Sequence, residues 1–326
     1  MQDTCLREIN YLRVSVTDRC NMRCVYCMPP QGVKHVSHED ILRNEEMARL
    51  VRAGSMAGIK KVRITGGEPL VRKGLVGLVE SISLIPEIDD IALTTNGVLL
   101  PAAGKELKTA GLRRVNISLD TLDPELFRFI TRKGNFKEVW RGIEVALELG
   151  LHPVKLNTVV MKGFNDGEIK DLAALTMKYP LHVRFIELMP VGASDSWTAG
   201  RHIPASEIRQ SIELELGGLI NAHRPCGNGP ARYYRLPGSQ GTIGFISAVS
   251  DHFCKNCNRL RLTAEGMIRP CLYSGKEIDA RTPLRKGAGE AELAGLFRQA
   301  VSVKPERHDI DAGWQDEKRI MSQIGG

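Results

Sequence analysis

Apolar positions follow two alternating patterns from the N-terminus to about residue 190. Short β-branched runs stand at 11–17, 60–65, 91–95, 114–119, 153–160 and 181–188. The segments between them carry apolar residues at helical spacing. One helix is expected after Ser37, with Asp40 completing a capping-box-like pair, and it carries Ile41, Leu42, Met47, Leu50 and Val51. Others cover 72–84, 102–110, 124–131, 137–149 and 167–178, with Asp123-Pro124 and Asp166-Gly167 as helix starts. Repeated strand–helix units imply a parallel sheet with right-handed crossovers. Six of them suit an α/β fold built as an incomplete (β/α)6 TIM-like barrel; an open doubly wound sheet is the alternative.

The strands themselves alternate. Arg13 and Ser15 share one face against Leu12, Val14 and Val16, and Lys61, Arg63 and Thr65 oppose Val62 and Ile64. Thr94 pairs with Asn96, Asn116 with Ser118 and Asp120, Lys155 with Asn157, and His182 with Arg184. Strands covered on both faces of a parallel sheet should read as continuous apolar runs. A polar face turned inward would bury several cations unpaired, at several kcal/mol each. A large anionic ligand in the lumen relieves that cost, whereas edge strands with one solvated face would need none. The pattern recurs in every strand, which favours the ligand cavity.

The rhythm breaks after residue 190. Loops are expected at 191–196 and 224–230, a β-pair at 231–236 and 242–246, and a hairpin at 259–263 and 267–269 around Glu265-Gly266. Helical pieces stand near 204–214 and 290–302. The division expected is a barrel domain over 1–222 and a smaller C-terminal α+β domain over 223–326. Residues 303–326 are polar, and the chain ends in a mobile Gly325-Gly326 tail.

Composition narrows the function only slightly. Apolar residues make up 42% and charged residues 25%, with no stretch long enough for a membrane span. The first residues lack an apolar signal region, so the cytoplasm is the default location. A net charge of +7 favours an anionic partner such as nucleic acid, a membrane surface or a phosphorylated small molecule.

Cysteine placement says more. Cys20, Cys24 and Cys27 fall within eight residues, and Cys254, Cys257 and Cys271 form a second set, while Cys5 and Cys226 stand alone. Thiolates select zinc, copper(I) or iron–sulfur clusters, and a closed site wants four protein ligands. Zinc completed by His35 or His38 at the first set, or by His252 at the second, is one reading. Three thiolates on a four-iron cluster, leaving one iron open to a small molecule, is the other.

Cys20-x3-Cys24-x2-Cys27 with Tyr26 before the third cysteine resembles the radical S-adenosylmethionine (SAM) superfamily. Ile64-Thr65-Gly66-Gly67-Glu68-Pro69 strengthens the likeness: the glycines would admit close backbone approach to a ligand, and Glu68 would accept from a ligand ammonium. The second trio, with Asn258-Arg259-Leu260-Arg261-Leu262-Thr263 inside it, narrows this. The chain resembles the GTP 3′,8-cyclase family of molybdenum cofactor biosynthesis over nearly its whole length. Thr94-Thr95-Asn96-Gly97, Asn116-Ile117-Ser118-Leu119-Asp120 and Phe185-Ile186-Glu187-Leu188-Met189-Pro190 match as well.

The resemblance implies two [4Fe-4S] clusters, on Cys20, Cys24 and Cys27 and on Cys254, Cys257 and Cys271, with SAM on the first and GTP on the second. A 5′-deoxyadenosyl radical would take hydrogen from C3′ of GTP, and the C3′ radical would attack guanine C8. It implies SAM contacts from Tyr26, Gly67, Ser118 and Met189. GTP would be bound by Arg13, Arg63, Thr94, Lys155, Arg259 and Arg261, with Lys61 and Arg184 as further triphosphate candidates, and the Gly-Gly tail would reach the active site. It implies an electron donor protein, a homodimer, and cyclic pyranopterin monophosphate synthase as the next enzyme, with neither nucleic acid nor membrane as partner. The nearest rival is another radical SAM enzyme with an auxiliary cluster, such as a peptide maturase, which usually carries more C-terminal cysteines. A basic zinc protein of nucleic acid is more distant, since the informative cations sit in strands and aromatics are only 5%.

Overall fold

All six N-terminal strands lie parallel in one sheet: β1 (Tyr11–Ser15), β2 (Lys61–Thr65), β3 (Asp90–Thr95), β4 (Arg114–Ser118), β5 (Val154–Val160) and β6 (Leu181–Glu187). A computed structural model describes residues 1–33, 36–190, 200–227, 229–308 and 319–324. Between the strands run α1 (Asn44–Met56), α2 (Leu75–Ser83), α3 (Leu100–Thr109), α4 (Pro124–Thr131), α5 (Phe136–Glu148) and α6 (Ile169–Lys178). The apolar strand face packs on these helices: Leu12, Val14, Val62, Ile64, Val115 and Ile117 are fully buried, as are Met47, Leu50 and Val51 of α1. Each such side chain contributes roughly 1.5–3 kcal/mol. The opposite face is therefore left for the polar alternates.

Beyond residue 200 come α7 (Ala205–Leu216), α8 (Arg281–Arg285), α9 (Glu290–Ser302) and six further strands. The expected β-pair forms as β8 (Arg232–Arg235) and β9 (Thr242–Ile246), with β7 (Ile220–Asn221) outside it. The expected hairpin forms as β10 (Arg259–Leu262) and β11 (Met267–Arg269), with β12 (Ile278–Asp279) beyond. These strands do not build a sheet of their own. β10 joins β1 in parallel and β9 joins β6 in parallel, so the C-terminal region extends both edges of the barrel sheet. The twelve strands run β12-β11-β10-β1-β2-β3-β4-β5-β6-β9-β8-β7 and do not close. An incomplete TIM-like barrel with a smaller α+β part describes the result.

Two expectations change. Ser37 Oγ does bond Asp40 (2.9 Å), but the helix starts seven residues later, where Glu46 accepts from the Arg43 N–H at 2.7 Å. Leu42 is held extended because its N–H donates to Ala264 O (2.8 Å) and its carbonyl accepts from Arg72 (2.6 Å). Those tertiary bonds outweigh the local capping signal. The polar tail also packs in part: Ile324 is fully buried beside Tyr273, and its carbonyl accepts from Arg261 Nη1 at 2.9 Å. Gly325 and Gly326, the loop expected at 191–196 and the candidate zinc ligand His35 lie outside the described residues.

Candidate active site

The polar strand face opens onto a cavity of about 330 Å³. Both cysteine trios line it, together with Arg13, Arg63, Thr94, Arg184, Arg259 and Arg261, and with Tyr26, Gly67, Ser118 and Met189. Two predicted residues do not. Lys61 stands at the start of β2, and Lys155 points away from the cavity, its ammonium donating to Cys226 O at 2.5 Å. The polar face thus carries two layers: an upper one around the cavity, and a lower one in which Asp90 binds Arg114 and Asn116 accepts from Arg184 Nη2 at 2.7 Å.

The first cysteine loop is built onto the end of β1 and held from three sides. Cys27 N–H and Met28 N–H both donate to Cys24 O (3.0 and 3.1 Å), which turns the loop back on itself. Arg23 N–H and Val25 N–H donate to Thr131 O and Ile130 O (both 2.9 Å) at the end of α4. Asn96 donates to Asn21 from the end of β3 at 2.7 Å. Burial first, then neighbouring thiolates and Asp120, push Cys24 well up and Cys27 up to about 12. A cluster would hold these three as thiolates, and its iron charge would have to offset the cost that burial puts on ionising them. Each thiolate of such a cluster meets a different iron, so the sulfurs need not converge on a point. Among the described residues no trio of His, Cys, Asp or Glu is packed tightly enough for a single ion.

The Gly-Gly-Glu-Pro segment brings Gly66 and Gly67 to the cavity and also has a structural part. A Cβ at Gly66 would come within 2.4 Å of Thr17 O, and one at Gly67 within 2.3 Å of Arg19 O. The glycines therefore let this turn lie directly on residues 17–19, which lead into Cys20; only Gly67 N–H and Glu68 N–H bond there, to Thr17 O and Arg19 O (both 2.8 Å). Glu68 is fully buried and outside the cavity lining. Its carboxylate accepts from Thr95 Oγ1 (2.7 Å), Asn96 N–H (2.6 Å) and Leu70 N–H (3.0 Å). It ties two strand ends together: Oε1 takes two of these donors, while Oε2 takes one and keeps acceptor capacity.

At the other end, a 3-10 turn over Phe253–Asn256 carries Cys254, and Cys257 N–H closes it onto Cys254 O at 3.1 Å. Two cations that the sequence reading missed hold the cysteine segments in place. Arg7 Nη1 donates to Cys254 O (2.9 Å) and to Glu306 O (2.8 Å). Lys304 Nζ donates to Arg259 O (2.8 Å) and to Pro270 O (2.6 Å), joining the strand after Cys257 to the residue before Cys271. Burial pushes the Cys257 thiol up, but the Arg259 guanidinium and Lys304 ammonium outweigh it and bring it down to about 6. A thiolate poised in this way suits a metal cluster. His252, the zinc alternative, instead stacks edge-on against His308 with ring centroids 4.4 Å apart. Distant pairings of this kind leave no periodic trace in a sequence.

Electrostatics between the two ends point one way. Burial and then the neighbouring Arg261 and Arg63 push Arg13 well below its ordinary value, and burial lowers Arg63 to about 10. Burial and Arg259 lower Arg261 to about 9. Tyr11 Oη, Arg63 Nε, Arg184 Nε and Asn157 Oδ1 all belong to cavity-lining residues and are buried without a hydrogen-bond partner. Such groups each cost about 1–3 kcal/mol when left unmet. A ligand with several anionic oxygens would satisfy the three donors among them, and an N–H or O–H on the same ligand would satisfy Asn157 Oδ1.

Around Tyr26 the arrangement is neutral to acidic. Tyr26 Oη donates to Asp120 Oδ2 (2.7 Å), and Asp120 Oδ1 accepts from Val159 N–H (2.9 Å). Burial raises Asp120 to about 6. Glu187, at the end of β6, accepts from Ala205, Val249 and Ser250 N–H groups at 2.7–2.8 Å, joining the start of α7 to the segment after β9.

Comparison with known proteins agrees with this geometry. A family model described as the radical SAM superfamily matches residues 14–176, and one described as Molybdenum Cofactor Synthesis C matches 181–310. The chain is 60% identical to the GTP 3′,8-cyclase of Pelotomaculum thermopropionicum, and 58% identical to that of Desulforamulus reducens. Both matches run over 326 residues and cover all of either chain. Among solved structures, Streptococcus suis SuiB bound to S-adenosylmethionine superposes with a TM-score of 0.61 at 15% identity, covering 89% of this chain and 68% of that one. A radical SAM methyltransferase from Sphaerobacter thermophilus superposes with a TM-score of 0.50 at 20% identity, covering 71% and 65%. At such identities the likeness concerns the fold.

Proposed function

The chain belongs to the GTP 3′,8-cyclase family of radical SAM enzymes, and from that premise we propose that it converts GTP to (8S)-3′,8-cyclo-7,8-dihydroguanosine 5′-triphosphate. This is the first step of molybdenum cofactor biosynthesis. The single observation that supports it most is one cavity bounded by both cysteine trios and by five arginines. When bound, a reduced cluster and SAM supply a 5′-deoxyadenosyl radical, which removes hydrogen from C3′ of GTP so that C3′ can join C8.

The chain's own residues do the placing. In this reading Cys20, Cys24 and Cys27 hold the SAM-binding [4Fe-4S] cluster, and Tyr26, Gly67, Ser118 and Met189 hold SAM. Cys254, Cys257 and Cys271 hold a second cluster at the guanine end. Arg259 and Arg261 flank the base and ribose, while Arg13, Arg63, Thr94 and Arg184 meet the remaining polar atoms of GTP. Lys155 and Lys61 act from below the cavity, as long-range positive charge for the triphosphate. Water is kept from the radical by the packed tail around Ile324.

We place the domain division at residue 222, because β6 completes the six-strand barrel and α7 packs on it. A protein electron donor, a homodimer, a cytoplasmic location and transfer of the product to cyclic pyranopterin monophosphate synthase belong to the same reading. Among the described residues no helix is long and apolar enough to cross a membrane.

The deciding experiment is an anaerobic assay with SAM, reductant and GTP, together with iron and acid-labile sulfide analysis. Expected are a GTP-derived cyclic product, 5′-deoxyadenosine and about eight irons per chain. Two zincs per chain and no product would overturn the proposal.

A further inference from the structure

We propose that the outer side of the first cysteine loop, against α4, is the docking face for a small acidic one-electron carrier protein. This rests on the reading that Cys20, Cys24 and Cys27 hold a cluster reduced from outside.

A groove on this side is lined by Val25, Glu125, Arg128, Phe129 and Arg132. Val25 lies between Cys24 and Cys27, so the groove's wall includes the cluster loop itself. Cys24, Tyr26 and Cys27 line the substrate cavity, whereas Val25 does not. It packs outward instead, with Ile130, Met161 and Leu188 in an apolar cluster separate from the main core. The loop therefore has two sides. SAM and GTP take the inner one, which leaves the outer one for an electron to enter at Val25, the residue directly bonded to the ligand Cys24.

The face has the make-up of a protein contact. Phe129 is 53% exposed at its centre and stacks on Phe164 with centroids 5.7 Å apart. Arg201 lies over the Phe164 ring at 5.1 Å, and Arg128 and Lys133 stand exposed on the α4 side. Against these cations are Asp123 and Glu125, and Asp123 is occupied in capping α4. An apolar centre with a cationic rim matches an acidic partner and speeds encounter with it. Rigidity is built in: Arg132 Nη1 donates to Arg23 O (2.9 Å) and Met28 O (3.0 Å), bracing both ends of the loop from the same surface. In the transfer the carrier loses one electron and the cluster gains one, and no bond or proton moves.

The test uses the full-length, cluster-loaded protein, with reduced flavodoxin as the probe and stopped-flow absorbance as the readout. The variants are Lys133→Glu alone and Arg128→Glu/Phe129→Ser/Lys133→Glu together. For the wild type the bimolecular rate should fall as salt rises. The triple variant should be slower by on the order of tenfold or more at low salt. Reduction by dithionite, and dithionite-driven turnover, should be unchanged in both variants. Flavodoxin reducing the triple variant at the wild-type rate would overturn the proposal. So would a wild-type dimer that the triple variant dissolves, because a second copy would then cover the face. Failure of dithionite to reduce the wild type would instead remove the cluster premise.

Discussion

The charge on Lys155 should be set by the substrate. Its side chain is 2% exposed and surrounded by the guanidinium groups of Arg184, Arg114 and Arg63, with Asp90 as the opposing carboxylate. Burial and then those guanidiniums lower its ammonium from 10.5 to about 6. A guanidinium gives up its proton far less readily than an ammonium, so lysine is the member that yields. Near pH 8 only about 1% of the free protein would carry the charge, and charging it there costs about 3 kcal/mol. An arriving triphosphate supplies that energy and restores the proton. GTP binding near pH 8 should therefore take up about one proton per site. Calorimetry in buffers of different ionisation enthalpy measures this directly. Lys155→Met should lose the uptake and bind GTP more weakly, with iron content unchanged. Equal uptake in wild type and Lys155→Met would refute the reasoning. The linked effect on stability has a definite sign. The unfolded chain holds the extra proton between about pH 6 and 10.5, so this group's destabilisation is full below about pH 6 and fades as pH rises through that window.

Further outcomes follow from single contacts. Lys304→Met leaves Arg259 O and Pro270 O without a donor, at about 1–3 kcal/mol each, and should halve the iron content while sparing SAM binding; full iron would count against its bridging role. Glu68→Ala removes the acceptor of three donors and should lower the melting temperature by several degrees, with SAM affinity falling too; an unshifted melting curve would contradict its structural role. Gly67→Ala forces a Cβ to 2.3 Å from Arg19 O and should weaken SAM binding, as equilibrium dialysis would reveal; wild-type affinity would refute the packing argument. Tyr26→Phe strands Asp120 Oδ2 and should lower stability by about 1–3 kcal/mol in denaturant titrations, while leaving all six cysteines able to bind iron.

Local signals carried much of this protein's description. Strand positions followed from β-branched runs, α4 from Asp123-Pro124, and the division of polar and apolar strand faces from period-two alternation, because each depends on neighbours a few residues apart. The start of α1 was misplaced because Leu42 answers to Ala264 and Arg72, far away in sequence. The structural partners of Glu68 are illegible for the same reason: Thr95 and Asn96 meet it only when β2 and β3 pair.

The sequence by itself determined the six-fold strand–helix order, the cation-bearing strand face and both cysteine trios, through periodicity and spacing. Only the tertiary structure decided that the C-terminal strands extend the barrel sheet at both edges, since edge pairing is a long-range hydrogen-bonding choice. The same holds for Arg7 and Lys304, whose ammonium and guanidinium groups find backbone carbonyls from three distant segments. It also separated Arg63 and Arg184, which line the cavity, from Lys155 beneath it. All three stand on polar strand faces, and depth in the barrel, which no local pattern encodes, sets which of them line the cavity.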